Sequence, residues 1–150
     1  MKYALIDLFA YTRWANKKYI DLMLEHKVDD EKAISWMSHI FNAYEIWLSR
    51  IEHYKPNYEI WEDHALKEMK ELNESYTKQV TTLIHESSDA DLYREIKYNS
   101  TSEKAHTSLL KDILIHMANH STHHRAQIAG QLSKKGLKVP ATDYIYFKRD

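Results

Sequence analysis

The stretch "TSLLKDILIHMANHSTHHRAQIAGQLSKK", Thr107 to Lys135, decides the fold. Its apolar residues Leu109, Leu110, Ile113, Leu114, Met117, Ile128 and Leu132 recur at spacings of three and four, the period of one helix face. Gly136 stands directly after it, where a helix is expected to end on a left-handed residue. The same stretch holds four histidines, His116, His120, His123 and His124.

Three more segments show the same period. About residues 3 to 25, Leu5, Leu8, Phe9, Tyr19, Ile20, Leu22 and Met23 give most of a stripe, closed by "HKVDD". About residues 30 to 54, Ile34, Met37, Ile40, Phe41, Tyr44, Trp47, Leu48 and Ile51 form one wide apolar face, closed by "KPN" at 55 to 57. The third, about 62 to 86, carries Leu66, Met69, Leu72, Tyr76, Val80, Leu83 and Ile84. Between it and the fourth, "LYREIKYNS" has room for a short extended piece. Four amphipathic helices, each burying one stripe in a shared core, predict an all-α fold: an up-down four-helix bundle in a single domain, residues 1 to 150. The end, "LKVPATDYIYFKRD", reads as an irregular tail lying over the bundle.

Composition supports this and removes other classes. The chain has 150 residues but only two glycines and two prolines, too few for phosphate-cradling loops or strand meanders. With 21 basic and 22 acidic residues and no block of like charge, neither nucleic acid nor an anionic membrane is an expected partner. No cysteine is present, which excludes disulfides, thiolate metal sites and a cysteine nucleophile. No apolar run reaches signal or membrane-span length, and the sequence reads as a cytoplasmic protein.

The direction of each histidine follows from a helical turn of about 100° per residue. With His116 at zero, His123 falls at about -20°, His120 at about 40° and His124 at about 80°, while the apolar stripe centres on about 90°. His120 and His124 therefore point into the stripe, and His116 and His123 lie at its edge. A buried imidazole needs its ring nitrogens satisfied by hydrogen bonds or by a metal, and two imidazoles one turn apart can chelate one ion. Nitrogen donors suit a divalent transition metal such as zinc or nickel better than calcium or magnesium. Arg125 is placed roughly opposite the stripe, which favours a surface or interface ion pair.

A catalytic site of this type needs a third protein ligand. His26, His53 and His85 sit at expected helix ends beside charged residues, His64 opens the third segment and His106 precedes the fourth. His39 lies mid-helix among Trp36, Ala43 and Trp47, at the edge of its apolar face, where direction permits an inward reach without requiring it. Neither the His-Glu-x-x-His pair of zinc proteases nor the Glu-x-x-His pairs of di-iron bundles occurs. Ser121 and Ser133 lack the setting of a hydrolase nucleophile.

"HMANHSTHHRAQIAGQLSKKGLKVPATDYIYF" resembles the last helix and tail of the DinB family, with its Asn-His, His-His-Arg and Pro-x-x-Asp elements. "YTRWANKKYI" at 11 to 20 and "MSHIFNAYEIWLSRI" at 37 to 51 are similar to that family's first and second helices. The resemblance implies a metal held by His39, His120 and His124. It assigns His116 and His123 to supporting or pocket positions, with a ligand set using His116 and His120 as the alternative. Ala126 stands where the family usually has glycine, and Thr12 where asparagine is common. It further implies an enzyme that activates a low-molecular-weight thiol, or water, against a small electrophilic substrate, as a thiol-dependent transferase or a hydrolase. Trp36, Tyr44 and Trp47 are the candidates to line the approach, and a homodimer is the expected assembly. The competing expectation is a noncatalytic metal-binding bundle serving as a stress or assembly protein.

Overall fold

The computed structural model describes residues 1–100 and 102–149. The chain is mostly helical, with one small antiparallel hairpin. Helix α1 spans Lys2–Glu25, α2 Glu31–Glu52 and α3 Met69–Glu86; strands β1 (Glu95–Asn99) and β2 (Ala105–Leu109) precede α4 (Leu110–Lys134) and the short α5 (Tyr144–Phe147). No helix among the described residues is long and apolar enough to cross a membrane.

Helix ends follow local chemistry. Asp30 caps α2, its carboxylate accepting the Ala33 N–H at 2.9 Å. His53 closes that helix in the left-handed region (φ 60°), three residues ahead of Pro56, so the break comes before the proline acts. Helix α4 ends in a Schellman arrangement: Gly136 (φ 81°) donates its N–H to the Ser133 carbonyl, and Leu137 donates to that of Leu132.

Two boundaries differ from the sequence reading. The third helix starts at Met69, after a 3-10 turn at Leu66–Glu68, because residues 53–65 form a loop packed across α2. Helix α4 starts at Leu110, because residues 105–109 pair with β1; Tyr98 stands opposite His106 and Ile96 opposite Ser108. The extended piece expected in "LYREIKYNS" is β1.

Each stripe is buried in one apolar cluster, to which Leu5, Phe9, Met37, Phe41, Ile84, Leu114 and Ile128 contribute side chains that are 2% exposed or less. Removing so much apolar surface from water, at about 25 cal/mol per Å², is the main force holding the helices together. Helices α1 and α2 each pack against both α3 and α4, so α1 lies diagonally across the core from α2, and α3 from α4. The segment after α4 lies on α1: the Tyr11 hydroxyl donates to the Thr142 carbonyl (2.8 Å), and Tyr11 and Trp14 pack against Phe147. The close packing of α2 on α4 is what brings His39 to the histidines of the fourth helix.

Candidate metal centre

His39 comes from the middle of α2, and His120 and His124 from successive turns of α4. One ring nitrogen from each forms a group lying within 4.8 Å, with the Nε2 atoms of His39 and His120 3.0 Å apart. The ring centroids of His39 and His124 are 4.6 Å apart, and those of His120 and His124 4.4 Å.

Hydrogen bonds orient two of the rings. The Ile60 carbonyl lies 2.8 Å from His39 Nδ1 and can only accept, so Nδ1 carries the proton and Nε2 keeps its lone pair. Gln127 Oε1 does the same for His124 Nδ1 at 2.7 Å. Both rings thus turn an unprotonated Nε2 toward His120, the second-layer arrangement usual for metal-ligating imidazoles.

Electrostatics keep the group neutral. Burial first, then the other four imidazoles, hold His120 down to about 3. Burial also lowers His39 against the Ile60 hydrogen bond, and burial followed by the charge of His39 lowers His124 against the help of Gln127. Imidazole ligands must be deprotonated to bind a metal, so protons compete weakly here at neutral pH. At 3.0 Å a neutral His120 can donate its Nε2–H to His39 Nε2, and in its other tautomer it turns a second lone pair to the same point, where a cation would be held between the two nitrogens. Nitrogen ligands of a single zinc ion, with bonds of about 2.0–2.1 Å, stand about 3.3 Å apart. The three histidines fit one divalent ion in donor type, in protonation and in spacing.

Residues 53–65 build the roof. Asn42, fully buried, donates from Nδ2 to the carbonyls of Glu62 (2.7 Å) and Ile60 (3.4 Å), and its Oδ1 accepts from His64 Nε2 at 2.6 Å. The Ser38 hydroxyl accepts the His64 N–H at 2.9 Å. Glu45, 3% exposed, accepts from Asn57 twice and from the hydroxyls of Tyr54 and Tyr76. This places Trp61 flat on His39, ring centroids 3.9 Å apart and 11° from parallel. His64, expected to open the third helix, instead belongs to this roof.

Beside the triad a cleft of about 310 Å³ is bordered by His39, His120, His116, Trp47, Arg50 and Tyr98. His116, exposed at its rim, is edge-on to Trp47 at 5.3 Å in the cleft wall; the partial loss of water on its inner side and then the charge of Arg50 lower its pKa. His123 is exposed and touches His124 edge-on at 5.1 Å. Tyr44 lies in the core against Phe9 and Tyr76, and Trp36 packs half-buried on the core; neither borders the cleft.

Arg125 corrects the sequence reading. It is 2% exposed, and its guanidinium donates to Asn16 Oδ1 (2.9 Å), Thr122 Oγ1 (2.8 Å) and the Tyr11 hydroxyl (3.3 Å). The cause is the width of the buried arc: α4 packs on both α2 and α1, so burial continues past the apolar stripe through Ala118 and Arg125. Arg125 thus turns toward α1, away from the imidazoles.

Several residues of the site escaped the periodicity analysis. Gln127, Arg50 and Trp61 are examples; only Gln127 had a signal, standing one helical turn after His124. Trp61 and Ile60 lie on a loop where no periodicity operates.

Together these features define a helical protein with a three-histidine group, able to hold a metal ion, shared between its second and fourth long helices. The chain belongs to the DinB family, whose model matches residues 1–150, the full length. No curated protein matches it significantly.

Proposed function

We propose that this protein is a metal-dependent enzyme built on an up-down four-helix bundle, using His39, His120 and His124 to hold a zinc or nickel ion. Its reaction is the transfer of a low-molecular-weight thiol, or water, to a small electrophilic molecule. The observation that carries this reading is the cleft: two of the three neutral imidazoles, His39 and His120, border an open hollow of about 310 Å³, with His124 buried directly behind them. A structural site is closed by four protein ligands, whereas a catalytic one keeps a position for substrate or water. Among the described residues the group numbers three, all histidines.

A divalent ion held there would supply Lewis acidity, lowering the pKa of a bound thiol or water so that a nucleophile exists at neutral pH. The chain's own residues supply position. Trp47, Ile46 and Ala43 give the hollow an apolar wall that favours a small organic acceptor over bulk water. Trp61 covers one face of His39 and limits that ring's rotation. In the transfer reaction a carbon–sulfur bond forms, the bond from that carbon to its leaving group breaks, and the thiol proton passes to solvent.

Elemental analysis of untagged protein is expected to find about one divalent ion per chain, lost in His39→Ala and in His124→Ala. Metal-loaded protein is then tested with small thiols and 1-chloro-2,4-dinitrobenzene, with chloride release as the readout. Turnover that disappears on chelation and returns with the metal supports the enzyme. Stoichiometric metal without turnover across a panel of thiols and acceptors points instead to a noncatalytic metal-binding protein. Full occupancy in either alanine variant would sink the ligand set.

A further inference from the structure

The cleft contains one charged group that metal ligation leaves unexplained. Arg50, on the last turn of α2, borders it together with His39, His116 and His120. The guanidinium carbon lies 4.6 Å from the Trp47 ring centroid and 5.2 Å from that of Tyr98, so two aromatic faces hold it in place. It is half-buried, and among the described residues it forms no ion pair and no hydrogen bond. Five N–H donors in a fixed plane are therefore presented to the hollow without an acceptor.

A partly desolvated cation has a cost, and folded proteins normally offset it with a carboxylate. Arg13, on the surface, has one in Glu74. At Arg50 the surroundings go the other way. A second hollow of about 600 Å³ shares Ile46, Arg50, Ile60 and Tyr98 with the first, and Lys55, Lys97 and His53 stand around it, with Glu59 the acid at its border. The aromatic clamp fixes the guanidinium without using its donors, which leaves them for a ligand.

We infer that Arg50 is the anion-recognition residue of this cleft, selecting small molecules that carry a carboxylate or phosphate at one end while the other end reaches the imidazoles of His39 and His120. Arg50 is a positioning residue in this scheme, since it touches the remote end of the ligand and not the reacting atoms. The inference rests on the proposed function for what happens at the imidazole end; the anion contact itself does not depend on a metal.

The test separates the two. The Nε–H resonance of Arg50, assigned by its loss in Arg50→Lys, is followed while metal-loaded and metal-free proteins are titrated with 3-mercaptopropionate, inorganic phosphate, 2-mercaptoethanol and cysteamine. A saturable shift is expected with 3-mercaptopropionate, with or without metal, and none with neutral 2-mercaptoethanol or cationic cysteamine; a shift with phosphate alone would assign the anion as phosphate. In cobalt-substituted protein the thiolate-to-cobalt absorption gives an affinity for each thiol. Arg50→Met, which keeps the apolar stem between the rings, is expected to weaken 3-mercaptopropionate about tenfold and leave 2-mercaptoethanol unchanged, since charge-assisted contacts to a carboxylate are the strong ones. Arg50→Lys is expected to fall between. Absence of any Arg50 shift with both anions overturns the inference, as does an equal loss of both thiols in Arg50→Met. A persistent shift with no thiolate absorption leaves anion recognition standing and removes the metal–thiol reading.

Discussion

Asn42→Leu tests whether the roof over the histidines is part of the metal site. Asn42 is fully buried, and its amide joins three groups: the carbonyls of Glu62 and Ile60, and the ring of His64. Leucine roughly keeps the volume but deletes the donor and the acceptor. The Glu62 carbonyl and His64 Nε2–H then lose close partners, at 2.7 and 2.6 Å in the native protein. Each buried polar group left unpaired costs about 1–3 kcal/mol, and partial access of water to the loop brings the expected total to about 2–4 kcal/mol. For a chain of this length about 1 kcal/mol moves Tm by about 2–4 °C, so a fall of about 5–15 °C is expected in the melt. The second consequence is at the metal. Ile60 accepts the His39 Nδ1–H, and loss of such an orienting contact lowers metal affinity about 10–100-fold. Zinc affinity is read by competition with a chromophoric chelator at a temperature where the variant is folded. Glu45→Gln is the control: it disturbs the same loop at Asn57, away from Ile60, and should cost about 1–2 kcal/mol of stability with little change in zinc affinity. If Asn42→Leu melts early but binds zinc within about twofold of wild type, the chain from Asn42 through Ile60 to His39 does not govern the metal.

Gln127→Met removes the acceptor for His124 Nδ1–H from a half-buried position; zinc affinity should fall about tenfold or more by the same chelator competition, with a near-normal melt. Loading the site with nickel should quench the emission of Trp61, which lies against His39, and Trp61→Leu should remove most of that quenching while retaining the ion. Burial alone would raise the Asp30 carboxylate, but hydrogen bonds from Gln131, the Ala33 N–H and Lys135 bring it down to about 2, against about 3.9 in an unfolded chain. A folded value below the unfolded one means this stabilisation is full above about pH 4 and is lost as the pH falls toward about 2. Acid titrations followed by circular dichroism should show that slope flattened in Asp30→Asn, whose cap is otherwise about as good.

The sequence was most legible where one face of a helix meets the core. The stripes of α1, α2 and α4 are set by apolar side chains leaving water, an effect that depends on spacing alone, and Gly136 marked the end of α4 because few other residues adopt φ of 81° without strain. His120 and His124 were legible for the same reason, being on a helix whose phase the apolar residues fix. The hairpin's claim on Thr107, Ser108 and Leu109 was not legible. Those residues suit a helix locally, and their pairing with β1 is a contact across the Ser100–Lys104 connection that no period within the segment records. The burial of Arg125 was missed because an apolar count stops at the last apolar residue, whereas α4 is enclosed by two neighbours and its buried arc includes a guanidinium satisfied by Asn16, Thr122 and Tyr11.

A polar stripe in α2 carries the rest of the site. Ser38, Asn42 and Glu45 fall within about 60° of one another on the helix wheel, and all three are buried. Counted as hydrophilic, they read as the solvent side of an amphipathic helix. Buried polar groups must be paired, and a row of them needs a polar partner of matching length; residues 53–65, rich in exposed backbone donors and acceptors, are that partner. The pairing does more than satisfy the helix. It stops α3 from beginning before Met69, lays Trp61 on His39, and turns the Ile60 carbonyl toward His39 Nδ1. The third imidazole of the centre therefore owes its position to apolar packing between α2 and α4, and its tautomer to polar residues of its own helix acting through a loop. Within that stripe Asn42 is the residue whose loss should loosen the metal without touching any ligand, since it alone reaches the Ile60 carbonyl, whereas Glu45, paired with Asn57, should affect stability and leave the metal in place.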